Sequence, residues 1–185
     1  MLEVFPNSAD AHYQVARDLQ EAGRFREAKV HYEQAVKFKP DMLPAHIFLG
    51  VLLADQKDLR AARSHFDEAL RLDPRNAEVH NDFAIVLDEQ GDLQQAKAHL
   101  ETALHIDPRY ALAHNNLGGI LARLGDLSQA RLHQERAVSI DPEFADAHYR
   151  LGLTLKKLGD SSAAIEHFKQ AVRIDPGYER QIPGQ

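Results

Sequence analysis

Histidine dominates the chemistry this chain could do. His12, His46, His80, His114 and His148 are spaced by 34 residues, and so are His31, His65, His99, His133 and His167. The two ladders hold ten of the eleven histidines; His105 stands outside them. Imidazole is a common metal ligand and titrates close to neutrality, so the ladders raise metal binding, acid–base catalysis and pH sensing as chemistries. Spacing argues against the first two. Equivalent positions in successive units lie about two helix diameters apart, each roughly 10 Å. Zinc needs several nitrogens within about 2.1 Å of one point. The two positions within a unit are expected some 7–8 Å apart along the helix axis, at a rise of about 1.5 Å per residue. No H-E-x-x-H sequence occurs. The histidines therefore read as half-buried rings, with no metal and no catalytic role. Packed among apolar neighbours they should resist protonation, so stability should be full above about pH 6.5 and fall below it.

The elements that carry these rings follow from the period. A fixed repeat of this length implies stacked supersecondary units rather than one globular core. Counting from Ala9, Leu43, Ala77, Ala111 and Ala145, position 11 of each unit is Leu, positions 20 and 27 are Ala, and position 32 is Pro. Positions 4, 7, 8 and 11 share one helical face, and positions 20, 24, 27 and 28 share a second. Between them stand Gly91-Asp92, Gly125-Asp126 and Gly159-Asp160. Glycine suits a left-handed helix end and aspartate suits the cap of the next helix. The proline stops the second helix and turns the preceding residue away from helical geometry. Each unit is thus a helix A, a tight turn and an antiparallel helix B. One such pair cannot bury both of its apolar stripes alone, so neighbours must stack.

In the second unit the pattern reads His46, Leu49, Gly50, Leu53, then Ala62 and Phe66, then Pro74; the fifth reads His148, Leu151, Gly152, Leu155, Ala164, Phe168 and Pro176. This resembles the tetratricopeptide repeat, whose signature is W-x2-L-G-x2-Y, A-x3-F and P. The resemblance covers about 170 residues in five registers. It implies an all-α fold, a right-handed α-solenoid of stacked helix pairs. Three departures stand out. Histidine replaces the family's large aromatic at position 4, Gln134 puts an amide where the family has a core ring, and Lys57 stands at the turn glycine.

The expected organisation is a single domain over residues 9–178, with repeats 9–42, 43–76, 77–110, 111–144 and 145–178. Leu2, Val4 and Pro6 match positions 28, 30 and 32, so residues 1–8 read as the tail of a preceding repeat. Residues 179–185 begin a sixth unit without a capping helix. Solenoids need polar caps at both ends, so the sequence reads as part of a longer repeat protein.

What the resemblance implies for function is a concave groove lined by helices A that holds a peptide or protein segment. Its family positions fall here on Tyr13 and Arg17 in the first repeat and on Ile47, Phe48 and Val51 in the second. They fall on Asn81, Ile85 and Asp88 in the third, and on Asn115, Asn116 and Arg123 in the fourth. In the fifth they are Tyr149, Arg150, Lys156 and Lys157. The lining is apolar in the second and third repeats, a feature that usually marks a partner site. Its charge then changes from Asp55, Asp82, Asp88 and Glu89 to Arg123, Arg150, Lys156 and Lys157. The cationic set that captures a chaperone's C-terminal carboxylate is absent in both frames, with Tyr13, Arg17, Phe48, Glu78 and Asp82 in one of them. Two alternatives stay open: a scaffold that self-associates through its ends into homo-oligomers, and the substrate-recognition arm of a larger enzyme such as a glycosyltransferase. Asn116 alone matches the asparagine that such transferase repeats carry at position 6.

Composition agrees with a non-catalytic binder that needs no cofactor. Across 185 residues there is no cysteine, which rules out disulfides and thiolate metal sites. A net charge of -6 argues against nucleic acid as partner. No apolar run reaches the roughly 18 residues of a membrane span. With no basic-then-apolar leader at Met1, the expected location is cytoplasmic, or periplasmic where a leader has been removed.

Overall fold

The 34-residue frame sets where each helix begins. In a computed structural model that describes residues 8–183, ten α-helices follow one another. They are α1 (Ala9–Glu21), α2 (Phe25–Phe38), α3 (Leu43–Asp55), α4 (Leu59–Leu72) and α5 (Ala77–Glu89). Next come α6 (Leu93–Ile106), α7 (Ala111–Leu124), α8 (Leu127–Ile140), α9 (Ala145–Lys157) and α10 (Ser161–Ile174), closed by a 3-10 turn over Pro176–Gln181. The described residues hold no strand, so the fold is all-α. Odd-numbered helices are the A helices, and each starts on the first residue of its repeat. The remnant expected over Leu2, Val4 and Pro6 lies outside the described residues.

Turn chemistry explains the boundaries. Gly23, Gly91, Gly125 and Gly159 have φ between 72° and 91°, a left-handed conformation that glycine adopts without a Cβ penalty. Lys57 takes the same place with φ 63° and bears that penalty. The carboxylates of Asp58, Asp92, Asp126 and Asp160 then accept from the backbone three residues on and cap helix B. At the other end, the residue before each repeat's proline has left helical geometry, as at Asp73 with ψ 89° and Asp175 with ψ 104°.

Two compact units result, divided between Gln90 and Gly91. In the first, α1 pairs with α2 and α3 with α4, while α2 meets α3 and α5 lies against both α4 and α3. In the second, α7 pairs with α8 and α9 with α10; α6 meets α7, α8 meets α9, and the 3-10 turn lies on α10. Small residues permit the close approach inside each pair. Ala28, Ala35, Ala62 and Ala69 are wholly buried. A Cβ on Gly50 would lie 2.8 Å from the Phe66 ring, and one on Gly152 would lie 2.7 Å from Phe168. The ring at position 24 of helix B therefore sits on the bare backbone at position 8 of helix A. No described helix is long and apolar enough to cross a membrane.

Candidate functional site

The histidines meet, contrary to the separation expected from helix rise. Nδ1 of His46 lies 3.0 Å from Nδ1 of His65. The same contact recurs at His12–His31 (3.0 Å), His114–His133 (2.9 Å) and His148–His167 (3.0 Å). In all of these pairs the ring centroids are 5.2 Å apart. The reason for the correction is the tight turn. Helix A ends at position 13, or 14 in α7, and helix B starts at position 17. Counted from position 15, the two rings are offset by three residues, about 4.5 Å of axis, which two imidazoles can bridge.

A third group completes three of these pairs. Nε2 of His46, His114 and His148 reaches the carbonyl oxygen of Pro40, Pro108 and Pro142 at 2.9, 3.3 and 3.1 Å. The position-4 ring thus ties helix B of its own repeat to the chain that ends the preceding one. Burial pulls His65 down to about 4, with His46 and Lys29 acting in the same direction. Burial and then the partner histidine also lower His31, His133 and His167, while Glu27, Glu101 and Glu135 oppose the fall in turn. Among the described residues no group of three or more metal-ligating side chains assembles.

In the first unit the helix-A surface is aromatic and aliphatic. Tyr13 of α1 and Phe48 of α3 have centroids 6.3 Å apart, and Phe48 stacks on the buried Tyr32 of α2 at 5.4 Å. Tyr32 donates its hydroxyl to Gln20 Oε1 at 2.9 Å, and burial raises its pKa to about 12. Ile47 and Phe48 are half-buried, whereas Val51 and Ile85 are exposed by 36% and 42%. Arg17 is exposed and pairs with Glu21 at 3.2 Å; Lys57 and Glu89 join α3's turn to α5 at 2.7 Å. Asn81 is different: it is fully buried, and its amide donates to Asp82. Asp88 is half-buried beyond it on α5. Burial raises the pKa of Asp82 despite that bond, with Glu78 acting in the same direction.

In the second unit a carboxylate organises the surface. Asp146 accepts from Asn115 Nδ2 (2.7 Å), Arg150 Nε (2.6 Å) and the Tyr178 hydroxyl (3.2 Å). Asn115 is fully buried and belongs to the α7–α9 contact, so it presents nothing to a partner. Arg150 lies across α7, where a Cβ on Gly119 would be 2.8 Å from its Nη1. Asn116 is half-buried, and Arg123 and Lys157 are exposed. Tyr149 and Lys156 are engaged by the chain's own C-terminal residues: Tyr149 donates to the Gln181 carbonyl at 3.0 Å and Lys156 to the Pro183 carbonyl at 2.8 Å. Asp146, Gly119 and Tyr178 were not among the residues expected from sequence. The consecutive glycines at 118 and 119 inside a helix were the one local signal available for Gly119.

Three family models match the chain. One described as tetratricopeptide repeat matches residues 19–81, 53–114 and 87–133; another of that description matches 145–178, and one described as TPR repeat matches 119–159. No curated protein matches the sequence. Solved structures do. A crystal structure of MamA aligns with TM-score 0.77 at 23% identity, covering 90% of this chain and 97% of that one. MamA 41-end from Desulfovibrio magneticus RS-1 aligns with TM-score 0.81 at 22% identity, covering 92% and 97%. YrrB, described as a TPR protein with an unusual peptide-binding site, aligns with TM-score 0.74 at 23% identity, covering 95% and 90%.

Proposed function

The chain belongs to the tetratricopeptide repeat family, and we propose that it is a non-catalytic scaffold binding a peptide or protein segment on its A helices. Proteins of this family serve as protein–protein interaction scaffolds, and a likeness to YrrB, a TPR protein described as having an unusual peptide-binding site, agrees with that role. The observation that carries the finer reading is in the first unit. Val51 and Ile85 leave 36% and 42% of their surface exposed on α3 and α5, which lie against each other. Beside them Phe48 is held in place by stacking on Tyr32. An apolar surface on a rigid support is what an incoming apolar side chain needs. The ion pairs Arg17–Glu21 on α1 and Lys57–Glu89 between α3's turn and α5 supply charge in the same unit and would set the orientation of the bound segment.

The test is selection from a random-peptide phage library on the wild-type chain, with counter-selection on Val51→Glu/Ile85→Glu. Both residues are exposed, so the double variant should keep its melting temperature while losing the selected peptides. Peptides that bind both chains equally would refute the assignment of the helix-A surface.

A further inference from the structure

Residues 176–183 are seated on the last helix pair as a ligand would be. After the 3-10 turn the backbone at Ile182 is extended, with φ -69° and ψ 123°. On either side of that residue the main chain is held, and at the residue itself the side chain is held. The carbonyls of Gln181 and Pro183 accept from the Tyr149 hydroxyl and the Lys156 ammonium. Between them the Ile182 side chain packs on the buried cluster of Leu151, Leu155, Ala164 and Phe168. Upstream, the Tyr178 ring lies 5.0 Å from Tyr149, and its hydroxyl reaches Asp146. Two main-chain acceptors, one aliphatic anchor and one aromatic anchor make a complete set for recognising a short segment.

The segment is held, yet it does not fill the surface. Glu179, Arg180, Gln181 and Pro183 are exposed, and only Tyr178 and Ile182 are half-buried. A cavity of about 670 Å³ remains between it and α10, lined by Ile165, Phe168, Val172 and the segment's own Ile182 and Pro183. Pro176 and Gly177 at its start keep it from continuing as an α-helix.

We propose that residues 178–183 are a tethered pseudo-ligand, and that the α9–α10 face accepts in trans a segment reading aromatic, three residues, aliphatic, proline, taken up as a 3-10 turn that opens at the aliphatic residue. The proposal rests on the reading of the A helices as a peptide-binding surface and adds both the ligand's chemistry and its internal competitor. A short tether supplies an effective concentration in the millimolar range. A free segment must therefore displace the attached one, and its apparent affinity is reduced by the fraction of time the face is open.

The experiment uses the full chain and a fluorescent peptide of residues 175–183. Ile182→Glu should release the attached segment and bind the peptide about tenfold tighter, or more, than the wild type does. Adding Lys156→Met to that variant should weaken binding again, since the Pro183 carbonyl loses its donor. Equal binding by wild type and Ile182→Glu, or no binding by either, overturns the proposal and leaves the segment a structural cap. Should Ile182→Glu lose its helical circular dichroism, trypsin decides on the unmodified chain. Excess free peptide made with Arg180→Gln, which trypsin does not cut, should speed cleavage of the chain after Arg180 several-fold, and an unchanged rate overturns the proposal. Failure here with successful selection on Val51 and Ile85 leaves the general binding function standing; failure of that selection alone leaves this proposal intact.

Discussion

His46 and His65 share one proton, and the Pro40 carbonyl decides which ring carries it. A carbonyl oxygen only accepts, so in the neutral ring it is His46 Nε2, 2.9 Å away, that carries the hydrogen. Its Nδ1 is then an acceptor, and the hydrogen in the 3.0 Å contact belongs to Nδ1 of His65. The unprotonated Nε2 of His65 is left outside the pair. The same logic holds at His114–His133 and His148–His167, each with a proline carbonyl on the position-4 ring.

Acid should loosen these pairs. Burial holds His65 at about 4 and keeps His31, His114, His133 and His167 below the ordinary value. In the unfolded chain each titrates near 6.5. Between those values the unfolded state binds more protons, so stability is fully present above about pH 6.5 and is lost as pH falls toward 4. The melting temperature at pH 5 should lie several degrees below that at pH 7.5, and His65→Gln should narrow the difference. Identical melting curves at the two pH values would remove histidine burial as a determinant of stability.

Gln134 is a local error in the core that a single change should repair. It is 1% exposed at the position that Tyr32, Phe66, Leu100 and Phe168 fill in the other repeats, and its Oε1 has no hydrogen-bond partner among the described residues. A buried acceptor left unmade costs about 1–3 kcal/mol. Gln134→Leu should therefore raise the midpoint of urea unfolding by an amount worth about 1 kcal/mol or more. A lowered midpoint would mean that the amide contributes packing that leucine cannot replace.

Lys57 sets two effects against each other. Its left-handed backbone costs about 1–2 kcal/mol relative to glycine. Its ammonium meets Glu89 at 2.7 Å, but the two side chains are 69% and 36% exposed, and such pairs contribute about 0.2–1 kcal/mol. Backbone strain is the larger quantity. Lys57→Gly should stabilise the chain by roughly 0.5–1 kcal/mol, read from thermal and urea unfolding. Net destabilisation would show that the link between α3's turn and α5 matters more than its exposure suggests.

Most of the fold was legible because it is local and recurs. The first residue of each repeat is the first residue of an A helix, and the expected turn positions carry the left-handed residues, Lys57 included. Less of the candidate site could be read. Val51 and Ile85 point outward as the family pattern implies, yet Asn81 and Asn115 at position 5 are buried. Family position alone does not say how far the next A helix reaches over a side chain. For Asn115 it is α9 that does so, bringing Asp146 within 2.7 Å.

By itself the sequence determined the period, the helix boundaries, the small residues at the close approaches and the family. All of these depend on φ/ψ preference and side-chain size within one unit. Only the tertiary structure decided that the histidines pair, that Asp146 gathers Asn115, Arg150 and Tyr178, and that Tyr149 and Lys156 hold the chain's own Gln181 and Pro183 carbonyls. Those contacts depend on differences of a few ångströms between side chains on different helices. Such differences are set by how deeply neighbouring backbones interdigitate, a quantity that residue spacing along one helix does not carry.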